Sequence, residues 1–432
     1  MPVTLRISDR SRVSRARRGV VETPHGAFET PAFMPVGTRG TVKGVLPELL
    51  AATGAQICLA NTYHLLLRPG SARVARLGGL HAMMRWDRPI LTDSGGYQAF
   101  SMADVNTIDD EGVTFKSIVD GATVHLSPER AIQVQNELGA DIIMAFDDCP
   151  PSAPGEVEEP RGNGSDVGAG AVRVSGSYEP GSNREDPRLA RALARDTRAQ
   201  KKRGGAFDHA ARLRTANERT VRWLERCKAA HARPGEQALF GIIQGGVDLE
   251  QRTWSAERIT NIDLPGYAIG GVAVGEKFDD ILRVVAHTAP LMPEGKPRYL
   301  MGVGYERDLL AAVLSGVDMF DCVLPTRNGR NASAFTSAGS IRLRNAKFAD
   351  DTGVIESGCD CHACGGGFSR GYIRHLFMVE EMLGPILVSL HNLRHFQRFM
   401  ADVRGTIATD DWERLALRWP VAREGLRALG SA

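Results

Sequence analysis

Eight short apolar runs, each closed by a glycine or a polar residue, recur along the chain with helix-length stretches between most of them. They are PAFMPVG to Gly37, AQICLANT with Asn61, PILTDSGG with Asp93, DIIMAFDD with Asp147, ALFGIIQGG with Gln244, YAIGGV with Gly271, RYLMGVG with Gly302 and VDMFDCVLP with Asp321. Runs of this length that do not alternate polar and apolar residues read as strands buried on both faces. Separated by helical stretches, they are the parallel strands of βα units. Eight such units close into a (β/α)8 barrel, the TIM-barrel architecture, in which the C-terminal strand ends carry the active site. An open doubly wound sheet would need a glycine-rich phosphate loop after its first strand. The segment Pro35–Gly40, PVGTRG, does not continue into one.

A chain of 432 residues has room for one large barrel and a smaller module. The barrel is expected over residues 1–345 and a zinc-binding subdomain with closing helices over 346–432. Between about 153 and 205 the rhythm breaks. The segment begins PGEVEEPRGNGSDVGAGAV, with almost nothing to bury, and passes into the charged LARALARDTRAQKKRGG. The first part reads as a disordered surface insertion and the second as a solvated helix.

A net charge of +2 demands no polyanionic partner in bulk, although a local basic patch could bind one. No apolar run reaches the roughly 18 residues of a membrane span. The N-terminal MPVTLRISDRSRVSRARRG is basic but lacks a secretory apolar stretch, and it reads as a first strand and turn. Seven cysteines, four scattered and three crowded, suit a reducing cytoplasm and one metal site better than a disulfide framework.

The crowded three are Cys359, Cys361 and Cys364, in a CxCxxC loop, with His391 beyond a predicted helix. Three thiolates and one imidazole complete a tetrahedral zinc shell, and a closed shell is structural because no position remains for water. His362 inside the loop and His375 on the helix are rival fourth ligands, His362 lying very close in sequence to the cysteines.

Asp93, Asp147 and Asp321 each close an apolar run. One strand-end aspartate is as readily an N-cap for the following helix. Three around a single mouth gather like charge, which is unfavourable unless a function requires it. Two carboxylates across a pocket suit displacement at a sugar carbon, one attacking C1′ and the other moving protons. Glycine pairs recur at the same level: Gly95-Gly96, Gly245-Gly246 and Gly270-Gly271. Glycine lets backbone approach a flat ligand. With Gln244 offering an amide edge, and Tyr97 and Met301 offering stacking faces, the set reads as a pocket for a flipped purine. Thr326-Arg327-Asn328-Gly329-Arg330 follows Asp321, with Arg342, Arg344 and Lys347 downstream, and suits phosphate or base-edge contact.

These segments together resemble the tRNA-guanine transglycosylases. The motifs are TPAFMPVGT (Thr30–Thr38), ANTYHL (Ala60–Leu65), LTDSGGYQ (Leu91–Gln98), MAFDDC (Met144–Cys149), IIQGG (Ile242–Gly246), GYAIGGVAVGE (Gly266–Glu276), YLMGVG (Tyr299–Gly304), FDCVLPTRNGRN (Phe320–Asn331) and the zinc loop with His391-Asn392. The resemblance runs from about Arg18 to about Met400.

The resemblance implies a zinc-containing TIM barrel that replaces guanine at the wobble position of GUN-anticodon tRNAs with a 7-deazaguanine, a step in queuosine synthesis. It implies Asp321 as the nucleophile that bonds ribose C1′, and Asp93 as the general acid/base. Asp147, Gln244 and the Gly271 N–H would read the purine edge. Ser94, Gly95, Gly96 and Tyr97 would form the pocket wall, with Tyr97 and Met301 as stacking faces. Gly302, Val303, Gly304, Tyr305, Glu306, Arg307 and Asp308, with Thr326–Arg330, would contact tRNA. Cys359, Cys361, Cys364 and His391 match the zinc ligands. No ATP or redox cofactor is implied.

Bacterial members of the family use preQ1, and Cys149 and Val274 match them; eukaryotic members use queuine and carry a smaller residue at the latter position. Bacterial members are homodimers through the zinc region, which implicates Phe368 and Tyr372. The insertion is absent from ordinary members, and the loop CGGGFSRGY is one residue longer than usual. Two rival readings remain. A retaining glycoside hydrolase would pair two carboxylates but has no need of Arg327 and Arg330. A non-catalytic RNA-binding zinc protein leaves the ring of aspartates unexplained.

Overall fold

The computed structural model describes residues 2–102, 106–150, 208–272 and 276–431. The insertion expected over 153–205, with its charged helix, and Val274 lie outside the described residues.

The eight apolar runs form eight parallel strands: β1 (Ala32–Pro35), β2 (Cys58–Ala60), β3 (Ile90–Thr92), β4 (Ile142–Met144), β5 (Ala238–Ile243), β6 (Gly266–Ile269), β7 (Arg298–Leu300) and β8 (Met319–Cys322). Each pairs in parallel with its sequence neighbour from β2 to β8, and β8 returns to pair with β1, Asp321 lying opposite Met34. A parallel bridge between Val36 and Leu59 joins β1 to β2 and closes the ring. This is the (β/α)8 barrel expected from the sequence.

Its strands look uniformly apolar because both faces are covered. One set of side chains, including Met34, Leu59, Leu91, Met144, Phe240, Ile242 and Met319, packs within one cluster. The alternating set, including Phe33, Cys58, Ile90, Ile143, Leu239, Ile269 and Phe320, packs within a second that also holds the helices. The basic N-terminus forms strands Thr4–Arg10 and Arg17–Thr23, which with Gly26–Thr30 make an antiparallel sheet. Val3, Val21 and Phe28 of this region join the first cluster. Buried Arg17 grips Asp318 through Nε at 2.8 Å, fastening the sheet to the N-terminal end of β8. That end is therefore covered, and the opposite mouth is left for chemistry.

After β8 the chain makes a short helix, Leu324–Arg330, then a hairpin of Ser333–Thr336 and Gly339–Arg342. The helix Leu383–Ile407 joins two cores. Leu387 and Val388 pack with the crowded cysteines and with Ala334, Leu343 and Ile373, whereas Leu390, Phe396, Phe399 and Val403 pack with the barrel helices. Among the described residues no helix is long and apolar enough to cross a membrane.

Candidate active site

Asp93 follows β3 directly and is buried. Its Oδ1 accepts the Thr62 backbone N–H at 2.7 Å, and its Oδ2 accepts Gln98 Nε2 at 2.7 Å and Asn61 Nδ2. The Thr62 hydroxyl in turn donates to the Asp93 carbonyl at 2.5 Å. Burial pushes the Asp93 carboxyl up to about 6. The donors Asn61, Thr62 and Gln98 oppose that rise, while the charge of Asp321 adds to it. A carboxyl poised near neutrality is suited to both giving and taking a proton.

Asp321 is the penultimate residue of β8 and is half-buried. Its Oδ1 accepts the Tyr299 hydroxyl at 2.6 Å and the Gly302 N–H at 2.8 Å. Oδ2 has no hydrogen-bond partner among the described residues. Burial raises this carboxyl too, against the pull of Tyr299 and Gly302. Tyr299 stands on the adjacent strand β7, fully buried, and burial holds its phenol far above the ordinary range. It therefore stays a donor, fixing one carboxylate oxygen while the other keeps its lone pairs.

Asp147, three residues past β4, is the third carboxylate. Ser94 Oγ donates to Oδ1 at 3.2 Å and Gln244 Nε2 to Oδ2 at 2.7 Å. Burial pushes Asp147 up to about 6, those two donors opposing it. The Gln244 amide lies against the Gly270-Gly271 pair at the end of β6. A Cβ on Gly271, whose φ is +60°, would meet Gln244 Oε1 at 2.1 Å, and one on Gly270 would meet Nε2 at 2.7 Å. Gly96 gives the same clearance, since its Cβ would lie 2.9 Å from the Asp147 carbonyl. Ser94, Gly96, Asp147, Gln244 and Gly271 thus form one packed group. Among the described residues, none of the three aspartates caps the helix after its own strand.

Tyr97 is half-buried in the first turn of the helix Gly96–Met102, and Met301 is half-buried just past β7. Of the segment Gly302–Asp308, Val303, Gly304, Glu306 and Asp308 are buried. Glu306 meets His395 Nε2 at 2.6 Å, and Asp308 meets Arg307 Nε at 3.3 Å. This leaves Gly302, Tyr305 and Arg307 reachable. The stretch Thr326–Arg330 is helical rather than a loop, with Thr326 and Gly329 buried; a Cβ on Gly329 would meet Ser389 Oγ at 2.6 Å. Arg327, Asn328 and Arg330 remain accessible, with Arg342, Arg344 and Lys347 exposed further along the chain.

Cys359, Cys361, Cys364 and His391 converge on one buried point, and neither His362 nor His375 belongs to the group. The three sulfurs lie 3.7, 3.4 and 3.5 Å from His391 Nδ1. A tetrahedral ion with ordinary metal–sulfur and metal–nitrogen bonds would separate ligand sulfur and nitrogen by about 3.6 Å. His391 Nε2 sits 2.7 Å from the Phe335 carbonyl, a partner that places the proton there and frees Nδ1 as a ligand. The four residues fit a metal ion.

Thr62, Gln98 and Tyr299 were not singled out from the sequence, and Asn61 only as the polar end of a strand. Each lies inside a quoted motif (ANTYHL, LTDSGGYQ or YLMGVG); the pairing of neighbouring strands shows which aspartate Asn61, Thr62 and Tyr299 serve, whereas Gln98 reaches Asp93 from the helix that follows it.

A sequence profile of the family described as Queuine tRNA-ribosyltransferase matches residues 11–161 and 206–424. The unmatched stretch falls within the low-complexity insertion. The chain is 47% identical over 395 residues to a protein of Lysinibacillus sphaericus named Queuine tRNA-ribosyltransferase, covering 91% of this chain and 89% of that one. It is 48% identical over 397 residues to the protein of that name from Thermus thermophilus, with 92% and 89% covered. It is 45% identical over 440 residues to that of Symbiobacterium thermophilum, with 100% and 96% covered. On the profile match and these identities, with a closed barrel whose mouth carries three buried or half-buried aspartates, the chain belongs to the queuine tRNA-ribosyltransferase family.

Proposed function

We propose that this enzyme exchanges guanine at the wobble position of GUN-anticodon tRNAs for the 7-deazaguanine preQ1 through a covalent tRNA–enzyme intermediate. The observation that carries this reading is the asymmetry of Asp321. One of its oxygens is committed to Tyr299 and Gly302, the other has no hydrogen-bond partner among the described residues, and its charge reaches Asp93.

In the first half-reaction Asp321 Oδ2 attacks ribose C1′ and the C1′–N9 bond breaks. The bonding pair leaves with guanine, and Asp93 supplies the proton that neutralises it. In the second, Asp93 removes the N9 proton of the incoming base, N9 attacks C1′, and Asp321 departs as carboxylate. Two inversions give net retention, and the covalent stage holds the tRNA while the bases trade places. Ionised Asp147 accepts the N–H groups of the purine edge in this reading. Gln244 Nε2 and the Gly271 N–H donate to the 6-oxo group. Tyr97 and Met301 supply the stacking faces, and Arg327 and Arg330 the phosphate contacts.

Buried Cys149, beside the Asp147-Asp148 pair, supports preQ1 over queuine, which is the second reading. The test is incubation with radiolabelled guanine and unmodified GUN-anticodon tRNA, chased with preQ1 or queuine. Label should enter the wobble position and be displaced by preQ1. No incorporation would sink the transglycosylase reading, and displacement by queuine alone would establish the second.

The bound metal is proposed to be one structural Zn2+, held by Cys359, Cys361, Cys364 and His391 and taking no part in the chemistry. A cytoplasmic location accords with the reduced cysteines and a tRNA substrate. The protein is further proposed to be a homodimer. Met382 is 78% exposed, Met378 and Val379 are 52% exposed, and Tyr372 is 43% exposed, all near the zinc loop in sequence. Apolar side chains so exposed are suited to an interface. Met382→Glu should convert the dimer to monomer in light scattering after gel filtration; a wild-type monomer would refute the assignment.

A further inference from the structure

Arg252 is fully buried on the helix Leu249–Thr260, and its hydrogen bonds go to backbone carbonyls rather than to a carboxylate. Nε donates to the Gly246 carbonyl at 2.9 Å, Nη1 to Ile243 at 3.0 Å and Gly270 at 2.7 Å, and Nη2 to Gly271 at 3.0 Å. One guanidinium therefore ties the end of β5, which carries Gln244, to the end of β6, which carries Gly271. Among the described residues no carboxylate hydrogen-bonds this cation, whose burial is unfavourable unless its donors are satisfied, and here they are spent on the ends of two neighbouring strands and the glycine turns that follow. Burial lowers its pKa only to about 10, so it stays charged at neutral pH.

The contact with Gly270 is the informative one. The Gly270 carbonyl and the Gly271 N–H belong to the same peptide unit, and in a trans peptide they point in opposite directions. A cation holding the carbonyl fixes the direction of the N–H away from itself. It also polarises the peptide, so the N–H becomes a stronger donor. Glycine at position 271, with φ +60°, could otherwise take up many conformations.

We infer that Arg252 is a positioning residue for base selection: it aims and strengthens the Gly271 N–H toward the 6-oxo group of the purine. The inference rests on the base-reading role proposed above for Gly271. Without Arg252 the enzyme should still bond tRNA through Asp321 but should discriminate poorly among bases.

The test compares wild type, Arg252→Met and Arg252→Lys, using guanine as substrate and 2-aminopurine, which lacks the 6-oxo group, as competing ligand. In Arg252→Met the KM for guanine should rise about tenfold or more, while kcat and the KM for tRNA stay within about threefold. The inhibition constant of 2-aminopurine, which also lacks the N1–H that faces Asp147, should stay unchanged, so the preference for guanine falls by the same factor as its KM rises. Arg252→Lys, which keeps the charge but cannot span four carbonyls, should fall between. If Arg252→Met does not fold, Arg252→Lys carries the comparison. A folded variant that keeps the wild-type guanine to 2-aminopurine ratio would overturn the inference, as would equal loss of both bases and of tRNA. Wild type that fails to exchange guanine, or shows no preference for it, would instead defeat the underlying reading of the site.

Discussion

Asp321→Asn will abolish base exchange and the denaturation-resistant protein–RNA adduct while leaving thermal stability close to that of wild type. Asparagine keeps the shape and an oxygen that accepts from Tyr299 and Gly302, so the strand end loses no hydrogen bond on that side. It loses the anionic oxygen to which the proposed mechanism gives the attack. Removing a nucleophile of this kind lowers turnover by a factor on the order of 10⁴ to 10⁶. An adduct that still forms in Asp321→Asn, seen as a shifted band on a denaturing gel, would mean another residue attacks the sugar.

The acid side of the pH–rate profile tests the same site without a mutation. On the proposed mechanism, exchange requires Asp321 ionised to attack and Asp147 ionised to accept from the base. Burial raises both, Asp147 to about 6, so the rate should fall as pH drops through about 6. The stability contribution of these groups runs the other way. For a carboxyl raised in the folded state, stabilisation is complete below its unfolded value and lost as pH rises through the folded one. Asp93 and Asp147, each near 6 in the fold, thus destabilise the protein at neutral pH. A rate constant flat down to pH 5 would contradict the assignment.

Removal of the metal has the second large expected effect. Chelation, or Cys364→Ser, should lower the unfolding temperature on the order of 10 °C and first expose the backbone of residues 332–388 to hydrogen exchange. The cysteines are part of a small core with Ala332, Ala334, Leu343, Ile355, Ile373, Leu387 and Val388. Without the ion, three thiols and an imidazole face one another in a buried space with no partner to hold them together. The damage should reach the mouth of the barrel. Asn392, next to His391, donates to the Pro325 carbonyl at 2.9 Å, and Pro325 lies in the first turn of the helix that carries Arg327 and Arg330. Reduced tRNA binding should accompany the loss of stability. A metal-free protein with an unchanged midpoint would refute a structural role.

The sequence by itself determined the ring. Eight non-alternating apolar runs with helix-length spacers have few ways to bury both faces of every strand, and closure is the simplest. The same runs placed Asp93, Asp147 and Gln244 just beyond strand ends and Asp321 close to one. The CxCxxC spacing marked the metal loop, because thiolates so close together are otherwise hard to accommodate.

Only the tertiary structure decided which groups serve which carboxylate. Tyr299 belongs to Asp321 because β7 pairs with β8, and Asn61 and Thr62 belong to Asp93 because β2 pairs with β3. Such relations depend on register between strands, which no local pattern encodes. Likewise His391 prevailed over His362 and His375 because the long helix brings its imidazole to the thiols. Thr326 and Gly329 proved buried because their short helix packs against that same helix. No local sequence pattern sets Arg252 apart from the other charged residues of its helix. Its role follows from lying beneath two glycine turns separated in sequence and joined only in space.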